Sequence, residues 1–319
     1  MLRKTLKVLK WTGIVIVSLF AILLVAMEVQ LRKKFDAPYP NIKASTDSVL
    51  IERGRQLVTG PAHCVNCHGP KNADSLLKGG LNVPLHGGYA FELPFGNIYA
   101  RNITPDNETG IGKRTDAELA RVLRYGVHAN GRPVLDFMPF HDMSDEDLTA
   151  VISYLRAQNP VRNKVPENNL NIVGRAIMAF MIKPVGPSGP VPQKVERDTS
   201  AAYGKYLVMN VANCNGCHTV RGGMGEYIGE PLAGGNGAED PKMVHLTPPN
   251  ISGDPASRIR AWKQEDFIKR FRMGKAYEES HMPWTAFANM SDDDLKAIYN
   301  YLKSVRAGGA PTPQLTSHK

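Results

Sequence analysis

Almost every motif in this 319-residue chain occurs twice, in the same order. CVNCH at Cys64–His68 returns as CNGCH at Cys214–His218. Asn102-Ile103-Thr104 returns as Asn250-Ile251-Ser252, and Arg124-Tyr125-Gly126 as Arg272-Met273-Gly274, both at an offset of 148. Phe137-Met138-Pro139-Phe140 is answered by His281-Met282-Pro283-Trp284, and MSDEDLTAVISYLRA from Met143 by MSDDDLKAIYNYLKS from Met290. Each half is therefore one folding unit, and the shared positions separate residues with a job from residues that fill space. The length suits two domains of ordinary size.

The local signals within each unit are helical. Ser144 and Ser291 are N-caps followed by acids that suit a helix N-terminus, with Met143 and Met290 placed to staple onto Leu148 and Leu295. A middle helix is predicted from about Asp116 to Tyr125, capped by Thr115 with Glu118 three residues on, and its counterpart from about Gln264 to Met273. Helices over Val49–Leu57 and Ala201–Val208 precede the cysteine motifs, each with a glycine (Gly54, Gly204) where a crossing helix can come close. Strand patterns are almost absent, so the expected fold is all-α.

The units span residues 45–159 and 199–306. The stretch 160–198 between them holds Pro160, Pro166, Pro184, Pro187, Pro190 and Pro192 and reads as a linker. Its Leu170–Ile182 segment is mostly apolar but too short to cross a bilayer. It reads either as a short helix covering an inter-domain seam or as a partner-docking helix. A polar tail follows at 307–319.

Residues 1–34 read as an N-terminal membrane anchor. Trp11–Met27 is a charge-free run of 17 residues with basic residues on both sides. No A-x-A pattern follows, and Glu28, Gln30 and Arg32 make a poor cleavage site, which favours a retained transmembrane helix over a removed leader. Seven of the 39 Lys and Arg residues lie in this segment against one acid, leaving 32 basic and 29 acidic residues beyond it. The +9 net charge is thus mostly an anchor property, and with no basic stripe interleaved with aromatics a nucleic-acid partner is not expected.

All four cysteines of the chain fall in the two CxxCH motifs, which reads as attachment of two c-type haems. Two thiols three residues apart on one helical turn, Cys64 with Cys67 and Cys214 with Cys217, can reach two vinyl groups on one porphyrin edge. The next residue, His68 or His218, then points at the iron. Disulfides have no need of the following histidine, and a zinc site would have to join pairs 150 residues apart. For the sixth ligand, Met138 and Met282 both precede proline, lie at matching distances after their CxxCH, and precede the terminal helix. Proline removes an amide donor and fixes the turn that presents the sulfur. The rivals are His86, His128, His141, His245 and His281, none of which recurs at an equivalent position. The haem chemistry also places the units outside the cytoplasm, on the periplasmic side of a bacterial inner membrane.

PFGNIYARNITPDNETGIG, RYGVHANGRPVLDFMPF and SDEDLTAVISYLR resemble the class I haem domains of cytochrome c subunits that accompany bacterial membrane-bound alcohol, gluconate and aldehyde dehydrogenases. The resemblance is strong over about 45–158 and looser over 199–305. It implies two tandem class I cytochrome c domains, with His68 and His218 below the irons and Met138 and Met282 above. It also implies electron delivery toward ubiquinone or a terminal oxidase. Those subunits commonly carry three haem domains and often a C-terminal membrane segment, whereas this chain shows two domains and an N-terminal anchor.

The expected function is electron relay without substrate chemistry. The donor would be a membrane-bound dehydrogenase or respiratory complex, the acceptor an oxidase or soluble cytochrome, and lipid the partner of residues 11–27. Methionine sulfur favours ferrous iron, so fairly positive potentials are expected. The alternatives are a dihaem peroxidase, which needs an iron able to lose its distal ligand and acid/base groups beside it, and a structural haem subunit of a larger complex.

Overall fold

The computed structural model describes residues 2–223, 225–236, 247–276 and 280–305; His245 and the 307–319 tail lie outside them. In chain order the helices are α1 (Leu2–Leu31), α2 (Ser48–Thr59), α3 (Val65–His68), α4 (Ala73–Lys78), α5 (Asp116–Tyr125), α6 (Asp145–Ala157), α7 (Ile172–Phe180), α8 (Ala201–Tyr206), α9 (Cys214–His218), α10 (Gln264–Arg272), α11 (Trp284–Phe287) and α12 (Asp292–Ser304). The chain is mostly helical, and the same helical plan appears in both halves.

The predicted caps form. Thr115 and Glu118 make a reciprocal capping box at the start of α5, which ends on Gly126 in the left-handed conformation at φ 60°. Ser144 accepts from the Asp147 amide and Ser291 from the Asp294 amide, opening α6 and α12 on three acids each. Met143, Leu148, Met290 and Leu295 are all buried, as the staples require.

Two glycines set the packing. A Cβ on Gly54 would stand 1.9 Å from the Ala150 carbonyl oxygen, and one on Gly204 would stand 1.9 Å from that of Ala297. Only a residue without Cβ lets α2 lie on α6, and α8 on α12, at this separation. Tyr154 and Tyr301, one turn on, close the same crossings. Past the crossing, the Ala62 amide donates to the Leu57 carbonyl at 2.9 Å and the Ala212 amide to that of Leu207 at 2.7 Å. These i to i−5 bonds loosen the helix end before each cysteine motif, in the second half as a π-helical turn at Leu207–Val211.

The all-α expectation needs one correction. β1 (Ala90–Leu93) and β2 (Gly96–Tyr99) form an antiparallel hairpin, and β3 (Asn169–Leu170), from the linker, adds to its edge. The turn at Pro94-Phe95 with Gly96 at φ 127° is the cause, and a Cβ there would meet the Asn169 carbonyl oxygen at 2.1 Å. α7 packs on β3, on the turn of this hairpin and on the C-terminal end of α1, with Gly174 under the Phe95 carbonyl.

The halves meet through a buried polar cluster. Arg53 donates to both Asp147 oxygens at 2.8 and 3.0 Å and to the Tyr203 hydroxyl at 3.3 Å. Tyr203 donates to Asp294 at 2.8 Å and Tyr206 to Asp147 at 2.8 Å. Burial alone would lower the Arg53 pKa, but its bonds to the Asp147 carboxylate win and raise it. Burial pushes both tyrosine phenols up, with Asp147 adding to it at Tyr206 and the Arg53 charge only partly opposing it at Tyr203, so they stay protonated donors. Arg53 and Tyr203 occupy the same position of the two copies, each directly before the crossing glycine. His63 of the first half also stacks edge-on against Phe287 of the second at 5.5 Å.

Gly54→Ala should cost about 2–3 kcal/mol, because the neighbour to be displaced is backbone. An unchanged melting temperature would show that the crossing has slack. Asp147→Ala leaves a guanidinium buried without its charge partner and is expected to cost about 3–5 kcal/mol, read as a lower denaturant midpoint.

Candidate haem sites

In the first half, Cys64 and Cys67 stand on the α3 turn and His68 ends it. The residue before the motif, His63, is left-handed at φ 38°, as is its counterpart Asn213 at φ 50°. That bend turns each CxxCH segment back off the preceding helix. None of the four cysteines is paired with another in a disulfide. Burial pushes the Cys64 and Cys214 thiols up to about 12 and Cys67 to about 11, so before any covalent attachment these side chains are neutral.

The histidines are fixed by backbone. His68 Nδ1 lies 2.7 Å from the Arg101 carbonyl oxygen, and His218 Nδ1 lies 2.8 Å from that of Pro249. A carbonyl can only accept, so Nδ1 carries the hydrogen and Nε2 keeps its lone pair for a metal. Burial lowers both imidazole pKa values, favouring the neutral, ligating form. This support was not visible from sequence, because the accepting atoms belong to the main chain.

The recurring Asn-Ile-Thr/Ser triplets explain how those carbonyls are held. Asn102, directly after Arg101, accepts from the Thr104 amide at 3.0 Å and hydroxyl at 2.7 Å. Asn250, directly after Pro249, accepts from the Ser252 amide at 2.9 Å and hydroxyl at 2.7 Å. These side-chain turns lock the loop that carries the accepting oxygen. Main-chain bonds repeat as well, from the Gly87 amide to the His68 carbonyl at 2.8 Å and from the Gly234 amide to the His218 carbonyl at 2.9 Å.

Met138 lines the same cleft, of about 1860 Å³, as Cys64, Cys67 and His68. Its walls include Leu119, Leu123, Phe140, Val151 and Leu155. The Phe140 amide donates to the Met138 carbonyl at 2.8 Å and the Trp284 amide to that of Met282 at 2.7 Å. With Pro283 at φ −75° and ψ 61°, the second of these is an inverse γ-turn centred on proline. Both methionines are half-buried and pack against the core.

The rival histidines are placed differently. His141 is buried with Nε2 2.9 Å from Asp136 and Nδ1 3.2 Å from the Arg124 carbonyl, so both ring nitrogens are engaged. His86 faces the Gly87 carbonyl and Asn163. His128 and His281 are exposed, His128 on the rim of the cleft.

The model of the family described as Cytochrome c matches residues 51–159 and 201–306, which together are most of the chain. The chain belongs to the cytochrome c family. A subunit of the nicotinate dehydrogenase of Pseudomonas putida is 30% identical over 298 residues, covering 86% of this cytochrome and 23% of the relative. The cytochrome c subunit of a quinone alcohol dehydrogenase of Gluconobacter oxydans is 30% identical over 284 residues, covering 82% of this chain and 56% of the relative. A diheme cytochrome c-type protein of Cereibacter sphaeroides is 27% identical over 264 residues, covering 76% and 82%. This cytochrome thus spans about a quarter to just over half the length of the first two.

The family implies haem c, and the residues fit it. A thiol pair on one turn, an imidazole with a free Nε2 and an apolar cleft containing a methionine are its requirements. Among the described residues no three His, Cys, Asp or Glu side chains converge as a site for a bare metal ion.

Replacing Asn102 by Ala removes the acceptor for the buried Thr104 groups and the donor to the Val161 carbonyl, 2.8 Å away. The expected loss is about 2 kcal/mol of stability, seen in urea unfolding of the haem-loaded protein. An unchanged midpoint would show that the triplet holds nothing.

Proposed function

We propose that this chain is a membrane-anchored, electron-carrying dihaem cytochrome c. One haem is attached through Cys64 and Cys67 with His68 as proximal and Met138 as distal ligand; the second uses Cys214, Cys217, His218 and Met282. The observation that carries this reading is that both halves repeat one support, imidazole Nδ1 donating to the carbonyl just before an Asn-Ile-Thr/Ser turn. Recurrence in two sequences with different loop lengths ties that support to the ligand role.

Haem c, when bound, supplies one-electron exchange at its iron. The chain's own residues orient the proximal imidazole, present a sulfur from a proline turn, and exclude water with apolar walls. The peroxidase alternative is disfavoured by His141, whose two ring nitrogens are already engaged, and by the matched Met-Pro turns of both halves.

The domains run over 45–159 and 199–306 as class I units, joined by the 160–198 linker. α1 is long and apolar enough to cross a membrane and is read as a retained anchor, with its Trp11–Met27 run in lipid and the haem domains on the periplasmic face of the inner membrane. Relatives named as dehydrogenase subunits support a membrane dehydrogenase as electron donor. An oxidase or a soluble cytochrome is the acceptor in this reading.

Met138→Ala and Met282→Ala should each open one iron to carbon monoxide while leaving two covalently attached haems in the mass spectrum. A resting protein that already binds carbon monoxide at either iron, or a chain mass without two haems, overturns the assignment.

A further inference from the structure

α7 leaves apolar side chains uncovered where the linker meets the candidate membrane span. Ile172, Val173, Phe180 and Met181 are 51%, 57%, 44% and 45% exposed. Val173, Phe180 and Met181 share one helix face by their spacing of seven and eight residues. One flank of α7 is pinned, since Gly174 is buried under the Phe95 carbonyl oxygen. The opposite side is pinned to α1, where Arg175, about 200° round the helix from Val173, pairs with Glu28. Glu28 is the first residue after the charge-free Trp11–Met27 run.

That run has 17 residues and, at about 1.5 Å per residue, covers roughly 25 Å of the roughly 30 Å of bilayer hydrocarbon. A span this short draws its flanks toward the hydrocarbon. The clamp to Glu28 then brings α7 to the headgroup boundary with its apolar face open. Arg32, Lys33 and Lys34 after α1, and Lys183 after α7, are exposed and line the same cleft edge. An apolar stripe flanked by cations matches a helix lying in the plane of an anionic lipid surface. Lipid would likewise cover the exposed apolar surface of α1, on which α7 packs.

We propose that α7 is a second membrane contact, lying in the interface of the bilayer that α1 spans, with the neighbouring lysines and arginines on lipid phosphates. This rests on the reading of α1 as a retained span. Because Met178 and Ile182 line the first haem cleft, the contact holds that cleft at the membrane surface, within reach of a membrane-embedded partner.

The test uses the full-length haem-loaded protein in phosphatidylethanolamine/phosphatidylglycerol vesicles. Spin labels are placed at Val173→Cys and Phe180→Cys, with Val15→Cys as the reference for the span and Lys205→Cys for water; the unsubstituted chain sets the background. At 173 and 180 relaxation by oxygen is expected to exceed relaxation by a polar nickel chelate, as at 15 and unlike 205. Water-like behaviour at both positions, with position 15 lipid-like, overturns the α7 contact and leaves the anchor standing. Water-like behaviour at position 15 overturns the anchor and the α7 contact with it. Protection of 173 and 180 only in native membranes, and not in lipid vesicles, assigns the face to a protein and also overturns the proposal. Ile172→Cys replaces either variant if it loses its haem absorption.

Discussion

The approach of a glycine backbone to a carbonyl, made once in each half, governs where everything else in this protein lies. With no Cβ at Gly54 or Gly204, the first helix of each unit rests directly on the terminal helix. The C-terminal end of that first helix runs into the CxxCH turn, and the N-terminal end of the terminal helix is entered from the Met-Pro turn. In the first half, the thiols, the imidazole and Met138 then line one cleft. A methyl group at the crossing would separate the helices, and the CxxCH turn and the Met-Pro turn with them.

Within that frame the chemistry depends on main-chain atoms as much as on side chains. The tautomer of His68 and of His218 is set by a carbonyl, and the carbonyl is held by an asparagine whose side chain closes a turn onto Thr104 or Ser252. Duplication works as an internal control here. Loops of different length and sequence converge on the same hydrogen bond, which is what a requirement produces and an accident does not.

The two halves are alike in plan and unlike where they touch. Arg53 faces Tyr203 from the same repeat position, and each is tied to the aspartate of its own terminal helix, Asp147 or Asp294. A guanidinium and a phenol can satisfy each other across the interface, whereas two arginines there would place like charges together in a buried site. The divergence of the copies at this position is what lets them pack. Directional bonds of this kind favour a single relative orientation of the two halves.

Caps, cysteine motifs and Met-Pro turns were legible in the sequence because their partners lie within one or two helical turns along the chain, where spacing alone decides geometry. Repetition added the link from cysteine motif to methionine, although some 70 residues separate them. The hairpin at Ala90–Tyr99 was missed because its strands are short and its edge is completed by β3, from another part of the chain. The carbonyls of Arg101 and Pro249 carry no residue identity, so no motif could announce them. The apolar character of α7 was plain, but its place beside Glu28 depends on a contact across 147 residues. By itself the sequence determined the helices, the duplication and the candidate haem-binding side chains, all consequences of local spacing. The tertiary structure alone decided which backbone oxygen holds each histidine, how the halves meet and where the linker helix lies, because those contacts join segments that are brought together only when the chain has packed.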